Sequence, residues 1–521
     1  MQSENSFPPM GMTSAEFRRR GKELIDYIAD YYDNINEVKP LSEVKPNYLR
    51  PLLPEQAPED PEPFDNIIKD LETKILPGVT HWQSGNFLGY FPASSSYPGI
   101  LGELLSATFN GIGFSWINGP AMTELETVML DWLAKLMGLS EDFMSKRSDG
   151  KPSSGGGVIQ GSASEAIIVA MIAARQKAVS KFEESNPNHT VEELDLFKSK
   201  LIAYGTDQTH SSGEKASMII NSKFGTIKTG SDGSLTKGLL RAAIDEDKKK
   251  GLVPYFVVGT FGTTAICATD DFNGIADITS EEDIWFHLDA AYAGASLICP
   301  EFRSLAPGMN RSDSFNFNPH KWLAVNFDCS TLWFKNSYYA KSALSIHRDY
   351  YKNAATDSGL VQDYKDWQLP LGRRFRSLKL WFVLRTYGAN GLRNHIRKTV
   401  NYAKLLESEL RKDGRFDILY PVNLSLVVSQ VSKEAVSAAT GLEIGSEALN
   451  EAHRKANTLV HQNILHENKI FPTTAVINGV TALRSAVGSV NTNDETMQNV
   501  VNAYLGAADK ALSNTELLSS K

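Results

Sequence analysis

Cysteine is scarce in this sequence. Only Cys267, Cys299 and Cys329 occur, and no two stand in a CxxC spacing. An odd, scattered set supplies neither a disulfide framework nor a thiolate metal site; it fits a reducing, cytoplasmic setting, with no metal expected. Long apolar runs are missing too. Nothing reaches the roughly 18 consecutive apolar residues that a membrane helix needs, and the polar stretch 1–12 lacks the basic start and apolar middle of a secretion signal. Positive charge is not in excess: 53 Lys and Arg against 61 Asp and Glu leave a net −8. That balance argues against nucleic acid or an anionic membrane as the main partner. No internal repeat is present.

What is there is globular. The 521 residues are 42% hydrophobic, enough for a large core. A capping pair, Thr13 and Glu16, opens an amphipathic helix over 13–32 with Phe17, Gly21, Leu24, Ile28 and Tyr31 on one face. That helix precedes any complete core, so its stripe is expected to pack on another domain or another subunit. Seven prolines between 40 and 63 exclude helix and predict an extended strap. A short helix follows over 65–75. Residues 81–116 are crowded with rings (Trp82, Phe87, Tyr90, Phe91, Tyr97, Phe109, Phe114, Trp116) broken by Gly, Ser, Asn and Pro. They read either as ordinary core or as irregular loops lining an apolar pocket. Helices are expected over 123–139 and 165–182. Short apolar runs at 201–204, 218–220, 255–258, 284–288 and 329–334 suit strands covered on both faces. Their alternation with helices predicts an α/β unit with a mostly parallel sheet. Beyond 378 the texture changes: helix over 378–387 stopping at Gly388, helix over 395–410, strand over 416–431 and a final helix over 495–512, a smaller α+β unit.

Four stretches carry chemistry. Gly155-Gly156-Gly157-Val158-Ile159-Gln160-Gly161-Ser162-Ala163-Ser164-Glu165 brings glycines to a helix start capped by Ser162 and Glu165. It is either a plain Gly/Ser turn or an anion site made of unpaired amides. His210, after the run 201–204, would sit at the C-terminal edge of the sheet, where α/β proteins place ligands; it is either a structural histidine or one that stacks on a ligand ring. Asp289 follows a nearly unbroken apolar run and should be costly there unless paired. Ala291, two residues on, would let a flat ring lie close. Lys321 stands in Asn318-Pro319-His320-Lys321-Trp322. A lysine able to form a Schiff base, with an aspartate upstream to hold a pyridine nitrogen protonated, is the pairing that pyridoxal phosphate (PLP) chemistry needs.

The order and wording of these motifs, together with His287-Leu288-Asp289-Ala290-Ala291-Tyr292-Ala293-Gly294, Ser314-Phe315-Asn316-Phe317-Asn318-Pro319-His320-Lys321-Trp322 and Leu371-Gly372-Arg373-Arg374-Phe375-Arg376-Ser377-Leu378, closely resemble the aromatic L-amino acid decarboxylases of the group II PLP-dependent family. The resemblance covers nearly the whole chain. It implies the fold type I (aspartate aminotransferase-like) architecture: an N-terminal helical and extended segment over 1–96 that packs on a dimer partner, a large PLP-binding α/β domain over 97–378 and a small α+β domain over 379–521.

By that resemblance Lys321 is the Schiff-base lysine, Asp289 the ring-nitrogen partner, His210 the stacking residue and Ala291 the packing on the other face. Ala163, Ser164, Asn318 and His320 sit near the phosphate, and Thr264 contacts the cofactor or the substrate carboxylate region. A catalytic lid corresponds to 344–360, with Tyr350 as the acid that protonates Cα together with His210. Trp82, Tyr90, Phe91, Pro92, Ile112 and Phe114 would line the substrate pocket, drawn from both subunits of a homodimer. Gly372, where relatives with other substrates carry serine, leaves room for a bulky ring. The implied activity is decarboxylation of tryptophan, 5-hydroxytryptophan, DOPA, tyrosine or phenylalanine to the arylalkylamine. Three other readings stand beside it: an aromatic acetaldehyde synthase, a decarboxylase for an acidic or imidazole substrate, and a catalytically silent scaffold. Relatives of the first kind lose the lid tyrosine or the stacking histidine, both kept here. The aromatic segment and Gly372 weigh against the second, and the intact Lys321, Asp289, His210 and Tyr350 against the third.

Overall fold

The computed structural model describes residues 12–151, 153–346 and 361–519. Seven short strands make the main sheet: β1 (Gly156–Gln160), β2 (Leu201–Thr206), β3 (Lys223–Ile227), β4 (Val253–Thr260), β5 (Trp285–Asp289), β6 (Ser314–Phe317) and β7 (Ser330–Phe334). They lie in the order β1-β7-β6-β5-β4-β2-β3. The four pairings from β6 through β5, β4 and β2 to β3 are parallel, and β7 runs antiparallel to both its neighbours. Every residue of β1, β2, β5, β6 and β7 is buried, which is why those strands are apolar on both faces. Alternation along each strand splits the interior into two cores. Ile202, Tyr204, Phe286 and Leu288 pack on one face, and Leu201, Ala203 and Trp285 on the other.

The helices begin with α1 (Ser14–Asp33), capped by the Thr13 hydroxyl, which accepts from the Glu16 amide at 3.2 Å. Phe17, Leu24 and Ile25 of its apolar stripe stay exposed on this chain. Residues 40–63 form neither strand nor α-helix, apart from one 3-10 turn, Arg50–Leu52. Inside the aromatic segment the sequence conceals a helix, α2 (Tyr97–Phe109), started by Ser96 and by a proline in its first turn. Next come α3 (Pro120–Met137) and the buried α4 (Ala163–Ser185).

The run 218–220 is not a strand. It ends the helix Ser212–Ile219, with Met218 and Ile219 exposed. A three-residue apolar run has no readable period. The true edge strand β3 is half exposed and carries Lys and Thr, so it gave no apolar signal.

A 38-residue helix, α5 (Arg376–Asp413), continues through Gly388, whose φ of 61° and ψ of 173° break the helical path. The glycine interrupts the helix as its sequence implies, but no loop follows. Beyond it, β8 (Phe416–Ile418), β9 (Leu426–Val431), β10 (Thr473–Ile477) and β11 (Val480–Ala486) form an antiparallel sheet in the order β10-β11-β9-β8. It packs with α6 (Glu447–Glu467) and α7 (Asp494–Ser513) around a third core. Residues 416–431 are thus two strands, not one, joined around Pro421. Among the described residues no helix is long and apolar enough to cross a membrane.

One buried ion pair joins three of these parts. Glu126 of α3 accepts from the Ile159 amide of β1 at 2.8 Å and from Arg373, just before α5, at 2.6 Å. Both side chains are almost fully buried. Glu126→Ala would leave a guanidinium buried without its counter-charge, so stability should fall by about 3–5 kcal/mol. Thermal or denaturant unfolding measures this, with Glu126→Gln falling between the two.

Candidate active site

Parallel strands end together, and their C-terminal ends form the natural crevice. β5 ends at Asp289. β6 runs on into Asn318 and a single helical turn, Pro319–Trp322, whose proline takes the first position. That turn is locked in place. Trp322 is fully buried, donates its indole N–H to Thr399 of α5 at 2.9 Å, and stacks on Tyr292 (4.9 Å between centroids, 16°). Tyr292 in turn stacks on Phe91 (3.8 Å, 13°). The Lys321 amine lies 5.2 Å from the Phe91 ring centre. Ser94 clamps the same turn from the other side: its amide donates to the His320 carbonyl at 2.8 Å and its hydroxyl to the Lys321 carbonyl at 2.6 Å.

All of Ala163, Ser164, His210, Thr264, Asp289, Ala291, Asn318, His320 and Lys321 line one cavity of about 210 Å³. The cavity opens into a groove of about 1090 Å³ walled by Trp82, Tyr90, Phe91 and Pro92. Trp82 and Tyr90 stack there at 5.3 Å and 17°. Ile112, Phe114 and Gly372 line neither space. They form a separate cluster in which a methyl group on Gly372 would lie 3.3 Å from Ile112 Cγ2, and Ile112 is exposed. Tyr350 and residues 347–360 of the expected lid lie outside the described residues.

At the start of α4 the Ser162 hydroxyl accepts from the Glu165 amide at 3.2 Å. The Glu165 carboxylate reaches past the expected capping partner to the Gly161 amide, at 2.7 Å. A Cβ on Gly161 would meet that carboxylate at 2.7 Å, so this glycine makes room for the cap. The first-turn amides of Ala163 and Ser164 have no acceptor within the helix and border the cavity.

Burial sets the charges. It pushes the Lys321 ammonium down to about 8, with Arg484 adding to the effect and Asp289 opposing it. His320 is driven down to about 3 by burial and by Lys321. Its Nδ1 accepts from the Cys329 amide at 2.9 Å, which leaves Nε2 as an N–H donor. His210 is also lowered, first by burial, and its Nδ1 is engaged by the Ser212 amide and hydroxyl. Asp289 accepts from the Ala291 amide at 2.9 Å.

This donor set fits a phosphorylated pyridine aldehyde. Amides at a helix start, with His320 and Asn318, could take a phosphate; Asp289 could take a ring nitrogen and Lys321 an aldehyde. The Thr260 hydroxyl, buried in the cavity wall without a partner, is a polar atom waiting for a ligand or for water.

Several residues of the site went unread in the sequence, Thr260 of the cavity wall among them. Phe471 and Thr473 border the groove from the C-terminal sheet. Arg484 of β11 is buried, lies 4.4 Å above the Phe91 ring and donates to the Thr264 carbonyl at 2.6 Å and to the Tyr90 carbonyl. Its Nη2 has no partner. The available sign was an arginine inside the strand run Val480–Ala486, the argument that singled out Asp289.

The family model described as "Pyridoxal-dependent decarboxylase conserved domain" matches residues 46–432. The chain is 50% identical over 416 residues to the aromatic-L-amino-acid decarboxylase of Mus musculus, covering 80% of this chain and 85% of that protein. It is 42% identical over 502 residues to the phenylacetaldehyde synthase of a Rosa hybrid cultivar, covering 95% and 94%. Among solved structures it is similar to Oryza sativa TDC with PLP and tryptamine: TM-score 0.90 and 35% identity, covering 97% of this chain and 100% of that one.

Only the free amine of a lysine attacks an aldehyde. The rate at which added PLP forms its covalent adduct with the apoprotein, followed by visible absorbance, should therefore rise with pH and level off above about 8, well short of the ordinary lysine value of 10.5. Lys321→Met should form no adduct at any pH.

Proposed function

The chain belongs to the pyridoxal-dependent decarboxylase family, and on that premise we propose that it converts aromatic L-amino acids into arylalkylamines and CO2. It is a carboxy-lyase that uses PLP. The observation that carries the substrate class is the ring-walled groove opening from Lys321, where Trp82 and Tyr90 stack and Phe87 and Phe471 pack behind them. A flat aromatic side chain finds offset-stacking partners there. The tryptamine held by the Oryza sativa protein is of the same chemical class.

In this reading Lys321 holds the cofactor aldehyde, Asp289 the ring nitrogen, and Ala163, Ser164, Asn318 and His320 the phosphate. His210 and Ala291 take the two ring faces, and Thr264 stands near the substrate carboxylate. Bound there, PLP supplies a sink for the electron pair left on Cα when the carboxylate departs as CO2. The protein's own part is orientation and proton delivery. Asp289 would keep the ring nitrogen's proton in place. His210, held at Nδ1 by Ser212, presents Nε2–H toward the reacting centre. One proton must reach Cα for each CO2 lost, and Tyr350 is the acid assigned to deliver it, working with His210. Retention of both residues favours amine over aldehyde as product.

A homodimer with shared active sites gives Ile112, Phe114 and Gly372 their place, as the second subunit's wall of the groove. Exposed Leu101, Leu104, Phe109 and Ile112 on and beside α2, with the bare stripe of α1, support an apolar interface there. The division into 1–96, 97–378 and 379–521 and a cytoplasmic location belong to the same proposal.

Assay of purified enzyme against L-tryptophan, 5-hydroxytryptophan, DOPA, tyrosine, phenylalanine, histidine and glutamate should give one amine per CO2 from the aromatic members alone. Aldehyde and hydrogen peroxide in stoichiometric yield would establish the synthase reading instead. Tyr350→Phe should lower amine formation by roughly 10²-fold, the size of a lost general acid, and raise aldehyde. Unchanged amine output would remove Tyr350 from that role.

A further inference from the structure

Two residues before Asp289, on the same face of β5, stands His287, which none of the chemistry above uses. It is completely buried. Its Nδ1 lies 2.8 Å from Ser314 Oγ and its Nε2 2.9 Å from Asn316 Oδ1, both on the neighbouring strand β6. Trp285, two residues earlier, donates its indole N–H to the same Ser314 Oγ at 2.8 Å. An indole nitrogen can only donate. An amide oxygen can only accept, so His287 Nε2 carries the hydrogen toward Asn316 Oδ1, and Nδ1 of the neutral ring is left to accept the Ser314 hydroxyl proton. A lone pair of Ser314 Oγ takes the Trp285 indole N–H. Donation runs one way along Trp285, Ser314, His287 and Asn316.

The far end of that chain is the informative part. Asn316 Nδ2 is buried and has no hydrogen-bond partner. With Oδ1 engaged by His287, Nδ2 is the free end of the amide; it makes no hydrogen bond to Asp289, with which Asn316 is paired in register. On the other side Asp289 is paired with Thr260, whose hydroxyl is also buried and unpartnered. Residues paired in register across parallel strands share a face, so Asp289 stands between two polar groups with unused capacity.

We propose that His287 is a positioning residue for Asp289, acting through Asn316: it fixes the amide so that an N–H2 donor, and never the carbonyl oxygen, faces the Asp289 carboxylate. An amide turned donor-first complements the negative charge of a carboxylate that would hold a pyridine nitrogen protonated. An oxygen in that place would repel it. His287 has to be uncharged for this, since a cation there would compete with the ring for Asp289. Burial keeps it so, driving the imidazole down to about 4. The inference rests on the Asp289 assignment made above.

The test compares His287→Phe, which keeps the ring shape but removes both nitrogens, with His287→Gln, whose amide can accept from Ser314 and donate to Asn316. PLP affinity of the apoprotein is measured by titration, together with the absorbance of the bound cofactor and thermal unfolding without it. His287→Phe should weaken PLP binding by about tenfold, the size of a buried polar group left without its partner, and shift the absorbance, while His287→Gln stays near wild type. Equal losses in both variants, or wild-type affinity in His287→Phe, would make His287 a core residue and overturn the proposal. If His287→Phe does not fold, Asn316→Ala decides: the same weakened binding supports the relay, and unchanged binding overturns it. Asp289→Asn separates the two levels. A changed absorbance there with an unchanged one in His287→Phe sinks only the relay, whereas no change in Asp289→Asn sinks the Asp289 assignment and the relay with it.

Discussion

A lysine without its hydration shell is the constraint on which the rest of this site depends. Moving an ammonium group out of water is costly unless opposite charge or polar groups stand near. Asp289 supplies the charge, at the end of a buried strand. Arg484 works against it, and Phe91 lies against both cations, 5.2 Å from the lysine amine and 4.4 Å from the guanidinium. The result is an amine poised near 8. Keeping it there takes material from four distant parts of the chain: the aromatic segment, the turn after β6, α5 through Thr399, and β11.

The aromatic segment shows what that costs in sequence. Its rings do not follow a helical or strand period because they answer to a site, not to a surface. Phe91 is the base of a column that continues through Tyr292 to Trp322, while Trp82 and Tyr90 face the groove. The segment thus supplies both buried rings, Phe87 and Phe91, and rings that wall the groove, Trp82 and Tyr90.

Buried strands were legible in the sequence because an apolar run on both faces has one explanation. β2, β4, β5 and β7 were found that way. β1 was hidden by its glycines and β6 by its serine and asparagine, which hydrogen-bond to His287 of the neighbouring strand. β3 was hidden by its exposure at the sheet edge. The residues expected to hold the cofactor were named from local motifs (the capped helix start, Asp289 and Lys321) and, for Ala163, Ser164, Thr264, Asn318 and His320, from the family resemblance; all nine share one cavity. Arg484, Phe471 and Thr473 were not named, because they reach the site by tertiary packing of a distant sheet and carry no local motif. The cluster of Ile112, Phe114 and Gly372 was named from family likeness alone, and nothing within one chain brings it to Lys321.

The interrupted helix α5 makes the two cores cooperative. On one side of Gly388 its residues Leu380, Val383 and Leu384 belong to the core of the large sheet, as do Leu392, Ile396 and Val400 just beyond; Ala403, Leu406 and Leu410 belong to the core of the small one. A single rod shared by two cores cannot melt in one without withdrawing packing from the other. The passage from one core to the other falls between Val400 and Ala403, within the helix that follows the break at Gly388. Opening the small sheet would also pull Arg484 off Phe91, so the electrostatic setting of the lysine and the integrity of the C-terminal third of the chain rise and fall as one unit.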